Sequence, residues 1–292
     1  MVNTHILANE FGYIEPRTID EALQYLADYG EKTRIIAGGT DLLVQMKTGK
    51  ICPQYLLNIS KIPALRYLIK EKSLRIGALT AFRELERSQV IRERYTALFE
   101  AAKSVSSVQI KNMGTVGGNL CNASPAADSA PPLLVFGGKV KLVDVRQERT
   151  LPLEKFFIGP GKTVLTPEEF LLEVEVDGGE DRTGSAFKKM GRVSADLSKV
   201  SVAVAIVRKG NVCEECRIAL GAVAGVPMRA RSGEEILKGE KMKESLIENA
   251  SLQVAQEISP IDDIRSTAWY RKEVAKVIVQ DAIRLAWERA AL

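Results

Sequence analysis

The sequence predicts an α+β protein in which small α/β units come first and a strand-then-helix unit comes last. Three observations carry this. Strand and helix patterns alternate through the first part of the chain, separated by glycine turns. A polar, glycine-rich stretch from Asp177 to Gly184 interrupts the pattern. Beyond it, apolar strands come first and amphipathic helices follow. The chain has 292 residues, enough for two or three folding units. The expected units are 1–60, 61–177 and 185–292.

In chain order, Ile19, Leu23 and Leu26 fall at helical spacing. Thr18 with Glu21 reads as a capping box, and Gly30 as the stop. Arg34 to Ala37 reads as a short buried strand running into Gly38-Gly39-Thr40-Asp41, with a helix from Leu42 to Lys47. Strand, glycine turn, helix start is an arrangement that favours phosphate, because a helix N-terminus presents free N–H groups. Gly-Gly-Thr-Asp is equally a good plain turn and cap. Tyr55 to Ile59 closes the first unit as a strand. Leu74 to Ala78 is a strand, Thr80 a candidate cap for a helix from Ala81 to Arg87, and Thr96 to Val105 a helix with Leu98, Ala101, Ala102 and Val105 on one face.

The stretch KNMGTVGGNLCNASPAADS, Lys111 to Ser129, is the most informative. Gly114, Gly117 and Gly118 let the main chain approach a bound group closely. Thr115, Asn119, Asn122, Ser124 and Ser129 add neutral hydrogen-bonding groups, and Asp128 a carboxylate. Such a segment suits the wrapping of a polyanionic ligand. Asn119 and Asn122 could instead serve the loop, and Asp128 could cap a helix before Pro131.

Pro131 to Phe136 is a Pro-started turn or helix. Lys139 to Val143 alternates as a half-buried strand, Leu151 to Lys162 is an irregular connection, and Leu171 to Val176 is a strand. Strands are expected at Ser185–Met190, Val200–Arg208 and Cys216–Ala224, and helices at Gly233–Leu237, Lys243–Gln256 and Trp269–Ala290.

Composition narrows the chemistry. The chain is 46% hydrophobic and 27% charged with a net charge of +4, too small and dispersed an excess for nucleic acid. The N-terminus lacks a secretory pattern, and no uncharged run approaches the roughly 18 residues of a membrane span. A cytoplasmic protein without disulfides is expected. His5 is the only histidine, which removes most metal sites and every Ser-His-Asp or Cys-His arrangement; no metal site and no catalytic side chain is expected. A one-histidine protein that does chemistry is expected to borrow a cofactor for it. One C-x-x-C, Cys213 and Cys216, reads as part of a strand, and Cys121 as a small buried filler. There is no G-x-G-x-x-G after a strand and no G-x-x-x-x-G-K-[ST].

Taken together, Ala37-Gly38-Gly39-Thr40-Asp41-Leu42-Leu43, Leu74 to Thr80 and Lys111 to Asp128 resemble the FAD signatures of the medium subunit of molybdenum hydroxylases of the xanthine dehydrogenase and carbon monoxide dehydrogenase type. Phe187 to Arg192 with Asp196 and Lys199, and Trp269-Tyr270-Arg271, are similar to that family's C-terminal domain. The resemblance covers nearly the whole chain.

It implies two small α/β subdomains clasping FAD, a PCMH-type FAD-binding fold, followed by a C-terminal α+β domain of antiparallel strands and helices. It implies that Ala37, Gly38, Gly39, Thr40, Asp41 and Leu42, with Thr115, Gly117, Gly118 and Asn119, hold the pyrophosphate, chiefly through main-chain N–H groups and the two threonine hydroxyls. Ser124 belongs to the same signature. Asp128 matches an acid that contacts ribose or ribityl hydroxyls, and Lys199 a lysine near the flavin ring. The implied role is electron relay, from the 2Fe-2S clusters of a small partner subunit, beside a molybdopterin large subunit, to NAD, quinone, ferredoxin or oxygen. Leu57 to Leu74 is short and lacks cysteine, so the extra 4Fe-4S insertion of some members is absent. The alternatives are a non-catalytic nucleotide-binding or assembly protein that keeps the fold, and a stand-alone oxidase of the vanillyl-alcohol-oxidase type.

Overall fold

The computed structural model describes residues 7, 9–177 and 183–290. His5 and most of the expected boundary, 178–182, lie outside the described residues.

The first unit is a three-stranded parallel sheet with β1 (Gly12–Ile14), β2 (Thr33–Ile36) and β3 (Tyr55–Asn58) in the order β1-β3-β2. Helix α1 (Ile19–Tyr29) crosses between β1 and β2, burying Ala22, Leu23 and Leu26. Its start follows the sequence: Thr18 Oγ1 accepts from the Glu21 amide at 3.2 Å, the Glu21 carboxylate accepts from the Arg17 amide, and Gly30 ends the helix. The short α2 (Leu42–Lys47) connects β2 to β3. This unit is α/β in the strict sense.

The second unit is not parallel. Its five-stranded sheet has the order β4-β5-β10-β6-β7, with every pair antiparallel. The strands are β4 (Leu68–Lys70), β5 (Leu74–Gly77), β6 (Lys139–Val143), β7 (Glu148–Pro152) and β10 (Phe170–Val176). The pairs β4–β5 and β6–β7 are joined by tight turns, which only antiparallel neighbours allow. Asp144 builds one of them, its carboxylate accepting from the Arg146 and Gln147 amides. Between β5 and β6 run α3 (Phe82–Arg87), α4 (Gln89–Arg94), α5 (Thr96–Ser104), α6 (Val108–Met113), α7 (Val116–Cys121) and α8 (Ala130–Val135). A two-stranded ribbon, β8 (Phe157–Gly159) with β9 (Lys162–Thr163), precedes β10.

Thr80 does not cap α3. Its hydroxyl donates to the Tyr67 carbonyl at 2.8 Å, and Ala81 stands at the cap with its amide on the Glu84 carboxylate. Asp128 does not cap α8 either; Ser129 occupies that position.

The C-terminal unit is a four-stranded antiparallel sheet in sequence order: β11 (Thr183–Met190), β12 (Val200–Lys209), β13 (Val212–Gly221) and β14 (Met228–Arg229). Strand β13 starts earlier than expected and includes both Cys213 and Cys216. Helices α9 (Arg231–Leu237), α10 (Glu244–Glu257) and α11 (Ala268–Arg289) follow. Period-two alternation sorts β12 between two cores. Val200, Val202, Val204 and Ile206 face the helices, together with Cys213 and Cys216. Ala203 and Ala205, with Ala219 of β13, face the core of the second unit. Their small side chains let α8 lie close against the sheet. The seam also carries polar ties. Arg289 bridges Glu100 at 2.6 Å and the Ser185 carbonyl at 2.7 Å, and the Phe187 amide donates to Glu100 at 2.8 Å.

Candidate functional site

The first glycine turn meets the second directly. A Cβ on Gly38 would stand 1.7 Å from the Met113 carbonyl oxygen and 3.2 Å from the Gly114 nitrogen. Only hydrogen fits there. Gly39 has φ +70°, the left-handed conformation that glycine adopts without a steric cost. Beyond this contact a cavity of about 660 Å³ opens between the first and second units. That volume lies within the range of roughly 300–1,000 Å³ common for small-molecule sites. Ala37, Gly38, Gly39, Thr40, Asp41 and Leu42 form one wall, and Thr115, Gly118, Asn119 and Asn122 face them.

The main-chain donors on the two walls differ. The amides of Gly38, Gly39, Thr40, Asp41 and Leu42 donate to no acceptor among the described residues. Successive free N–H groups in a turn make an anion-binding concavity. On the facing wall, the Val116 amide donates to the Thr80 carbonyl, Gly117 to Ala78, and Asn119 to Thr115. The Gly118 amide donates to Thr115 Oγ1 at 3.0 Å, which caps α7. Of these amides only that of Thr115 has no acceptor of any kind among the described residues. The expected main-chain grip from this side is therefore reduced to one donor. The cause is that the stretch folds into a helix rather than an open loop.

Gly117 does not line the cavity. It is buried against β5, where a Cβ would stand 2.8 Å from both the Ala78 Cβ and its carbonyl oxygen. Asn119 Oδ1 accepts from the Ser129 hydroxyl at 2.7 Å. Asn122 Oδ1 accepts from Gln45 Nε2 at 3.0 Å, a bridge from α2 to the end of α7 across the cavity. Ser124 Oγ accepts from the Ala126 amide and so closes its own turn. Cys121 stands on the cavity wall, where burial pushes its thiol up to about 12 and keeps it protonated. The walls also desolvate Asp41, raising its pKa, while the Thr40 hydroxyl opposes the shift.

Asp128 lies away from the cavity wall, at the seam with the C-terminal sheet. Burial raises its pKa and the Lys189 ammonium, 2.6 Å from Oδ2, lowers it. Its Oδ1 is buried without a partner. Lys199 is farther along the same seam. Its amide donates to the Met190 carbonyl at 2.8 Å, and its ammonium stands 5.3 Å from the centre of the Tyr270 ring. Neither Asp128 nor Lys199 borders the glycine cavity.

Sequence reasoning missed four contributors. Gln45 carried no signal beyond being polar in an amphipathic helix. Thr163 and Thr166, between the segment read as an irregular connection and the strand from Leu171, complete the cavity wall. Arg271 is buried at the start of α11 and donates to the carbonyls of Ala222 (2.7 Å) and Lys199 (3.2 Å) and to Asp263 (2.7 Å). It thereby pins Ala222, whose φ of +62° is strained for a residue with a Cβ.

Residues 9–176 match the family model described as the FAD binding domain in molybdopterin dehydrogenase. The chain belongs to the FAD-binding medium subunits of the molybdenum hydroxylases. Residues 185–286 match the carbon monoxide dehydrogenase flavoprotein C-terminal domain. Among its curated relatives is the glyceraldehyde dehydrogenase medium chain of Sulfolobus acidocaldarius, 31% identical over 94% of this chain and 98% of that one. Another is the carbon monoxide dehydrogenase medium chain of Hydrogenophaga pseudoflava, 31% identical over 96% of this chain and 98% of that one. The structure of carbon monoxide dehydrogenase from Hydrogenophaga pseudoflava superposes with a TM-score of 0.94 at 30% identity, covering 97% of this chain and 99% of that one. That of quinoline 2-oxidoreductase from Pseudomonas putida 86 gives 0.91 at 26% identity, covering 97% of this chain and 99% of that one.

Such medium subunits are oxidoreductase components, and FAD is their cofactor. The residues fit it. A run of open amides suits the diphosphate, and the buried Asp128 Oδ1, which has no partner among the described residues, can accept from a hydroxyl. No helix among the described residues is long and apolar enough to cross a membrane.

Proposed function

We propose that this chain is the electron-relay subunit of a cytoplasmic, multi-subunit molybdenum hydroxylase. In this reading it takes electrons from the 2Fe-2S clusters of a small subunit, beside a molybdopterin large subunit, and passes them to NAD, quinone, ferredoxin or oxygen. Its working units are 1–60, 61–177 and 185–292. Bound FAD supplies the one- and two-electron exchange that no side chain of this protein provides.

The chain's own residues bind and orient. Gly38 to Leu42 present the open amides to the diphosphate, Ala37 leads into them, and the Thr115 amide adds a donor from the other side. Gly118 and Asn119 shape the second wall, Gly117 seats their helix against Ala78, and Ser124 holds the turn that leads to Asp128. Asp128 accepts from cofactor hydroxyls through its free oxygen. Lys199 offers a cation to offset negative charge on the reduced ring.

The observation that carries this reading is the run of unpartnered amides from Gly38 to Leu42 facing the second glycine segment across one cavity. The test is the chain expressed alone and mixed with FAD, then the complete complex supplied with substrate. The expected results are one tightly bound FAD with flavin absorbance, and bleaching of that absorbance by substrate only when the partner subunits are present. A chain that binds no FAD sinks the binding role. A complex whose flavin stays oxidised under substrate leaves binding intact and sinks the relay.

A further inference from the structure

The ion pair between Asp128 and Lys189 joins two units of the fold. Asp128 belongs to the segment before α8, and Lys189 stands on β11 in the C-terminal sheet. The ammonium approaches Asp128 Oδ2 at 2.6 Å, and each side chain is about 9% exposed. The other carboxylate oxygen, Oδ1, is buried and has no partner. Buried carboxylate oxygens are ordinarily satisfied, so an orphan marks a place where a ligand or water belongs.

A second orphan lies on the opposite side of the seam. Ser201 is the ladder partner of Lys189 across β11 and β12, so the two side chains leave the same face of the sheet. Its hydroxyl is buried without a partner. A Cβ on Gly221 would stand 2.7 Å from Ser201 Oγ and 3.3 Å from the Pro125 carbonyl oxygen. That hydroxyl therefore faces the segment leading to Asp128.

We propose that Lys189 is a positioning residue for the cofactor. From the C-terminal domain it fixes the charge and orientation of Asp128, so that the free oxygen is presented to a hydroxyl of FAD. A buried carboxylate that gives one oxygen to an ammonium keeps the other as a charge-assisted acceptor. Because the two partners stand on different units, FAD affinity and docking of the C-terminal sheet are coupled, and the coupling is reciprocal. This rests on the function proposed above.

The test measures the FAD dissociation constant of the apo chain for wild type, Lys189→Met, Lys189→Arg, Asp128→Asn and the double variant, each verified as folded by circular dichroism. Lys189→Met is expected to weaken FAD binding on the order of 30-fold, as for removal of one member of a buried charge pair. Lys189→Arg, which keeps the cation, stays within about threefold of wild type by the same principle. The double variant binds no more weakly than the poorer single variant, because both substitutions act through one carboxylate. If Lys189→Met does not fold, the double variant, which leaves no buried charge unpaired, carries the comparison against Asp128→Asn. FAD affinity of Lys189→Met within about threefold of wild type, failure of Lys189→Arg to restore binding, or losses that add in the double variant would each overturn the proposal. A wild-type chain that does not bind FAD would instead remove the functional reading beneath it.

Discussion

From Gly38 to Leu42 no main-chain amide has an acceptor among the described residues, whereas from Val116 to Asn119 every one does. Both segments are glycine-rich, and both follow a structured element. What separates them is the residue ahead of the helix. Thr115 puts its hydroxyl on the Gly118 amide and winds the chain into α7 at once. Asp41, at the corresponding cap of α2, makes no capping hydrogen bond through its side chain, so the turn before it stays open. One segment is a donor surface, and the other is the scaffold that closes the cavity over it. Glycine content alone does not distinguish these two uses, but the partner of each amide does.

The contrast predicts different failures for glycine-to-alanine changes. Gly38→Ala gives the largest effect. Its Cβ would overlap the Met113 carbonyl at 1.7 Å, and that backbone cannot yield without parting the two units. Overpacking of this kind costs about 3 kcal/mol, and FAD affinity is expected to fall by more than about a hundredfold. Denaturant titration and FAD retention on gel filtration measure the two. Normal retention would mean that the open amides are not the grip.

Gly117→Ala is expected to hurt folding and spare the ligand. Alanine favours a helix by about 1 kcal/mol, while the contact with Ala78 at 2.8 Å costs about 2–3 kcal/mol. The net loss is roughly 1–2 kcal/mol, with FAD affinity of the folded protein unchanged within about threefold. Lost FAD binding at unchanged stability would put Gly117 on the ligand and erase the distinction between the turns.

Thr115→Ala comes next. Removing the cap costs about 1 kcal/mol, and Thr115→Ser, which keeps a hydroxyl, restores most of it. Thermal melts of the apo chain decide this. A stable Thr115→Ala variant would show that α7 does not depend on its cap.

These particulars also mark what the sequence made visible. Helix α1 was legible end to end because Thr18, Glu21 and Gly30 are local signals that tertiary contacts did not override. Both turns stood out as glycine-rich segments, but Gly-Gly-Thr-Asp after an apolar strand is also a plain turn and cap, and the sequence left that choice open. Helix α7 was hidden. Two glycines in six residues argue against a helix, and only the cap at Thr115 and the close packing of Gly117 on Ala78 hold it. Strand β1 has three residues and gains its meaning from pairing with β3, a contact no local pattern reveals. Lys189 was hidden for a similar reason. In the sequence it is one of two adjacent lysines, and only the register of β11 sends it into the seam with Asp128.

The smallest effect concerns charge at the open turn. Asp41 borders the cavity, whose walls desolvate its carboxyl and raise its pKa above the ordinary value, against an opposing hydrogen bond from Thr40. The second segment places no carboxylate on the cavity wall, and the other carboxylate there, Glu169, is held low chiefly by Arg149. A carboxyl with a raised folded pKa favours the folded state when protonated. Its contribution is present in full below the unfolded value, near 4, and is lost as pH rises through the higher folded value. Removing the charge with Asp41→Asn should flatten this part of the stability profile of the apo chain. Denaturant midpoints measured at half-unit steps from about pH 4 upward test this, since that is where the folded and unfolded titrations separate. Parallel profiles for wild type and Asp41→Asn would mean that the cavity walls leave the carboxyl fully hydrated, and the first turn would then be open to bulk water rather than enclosed for a ligand.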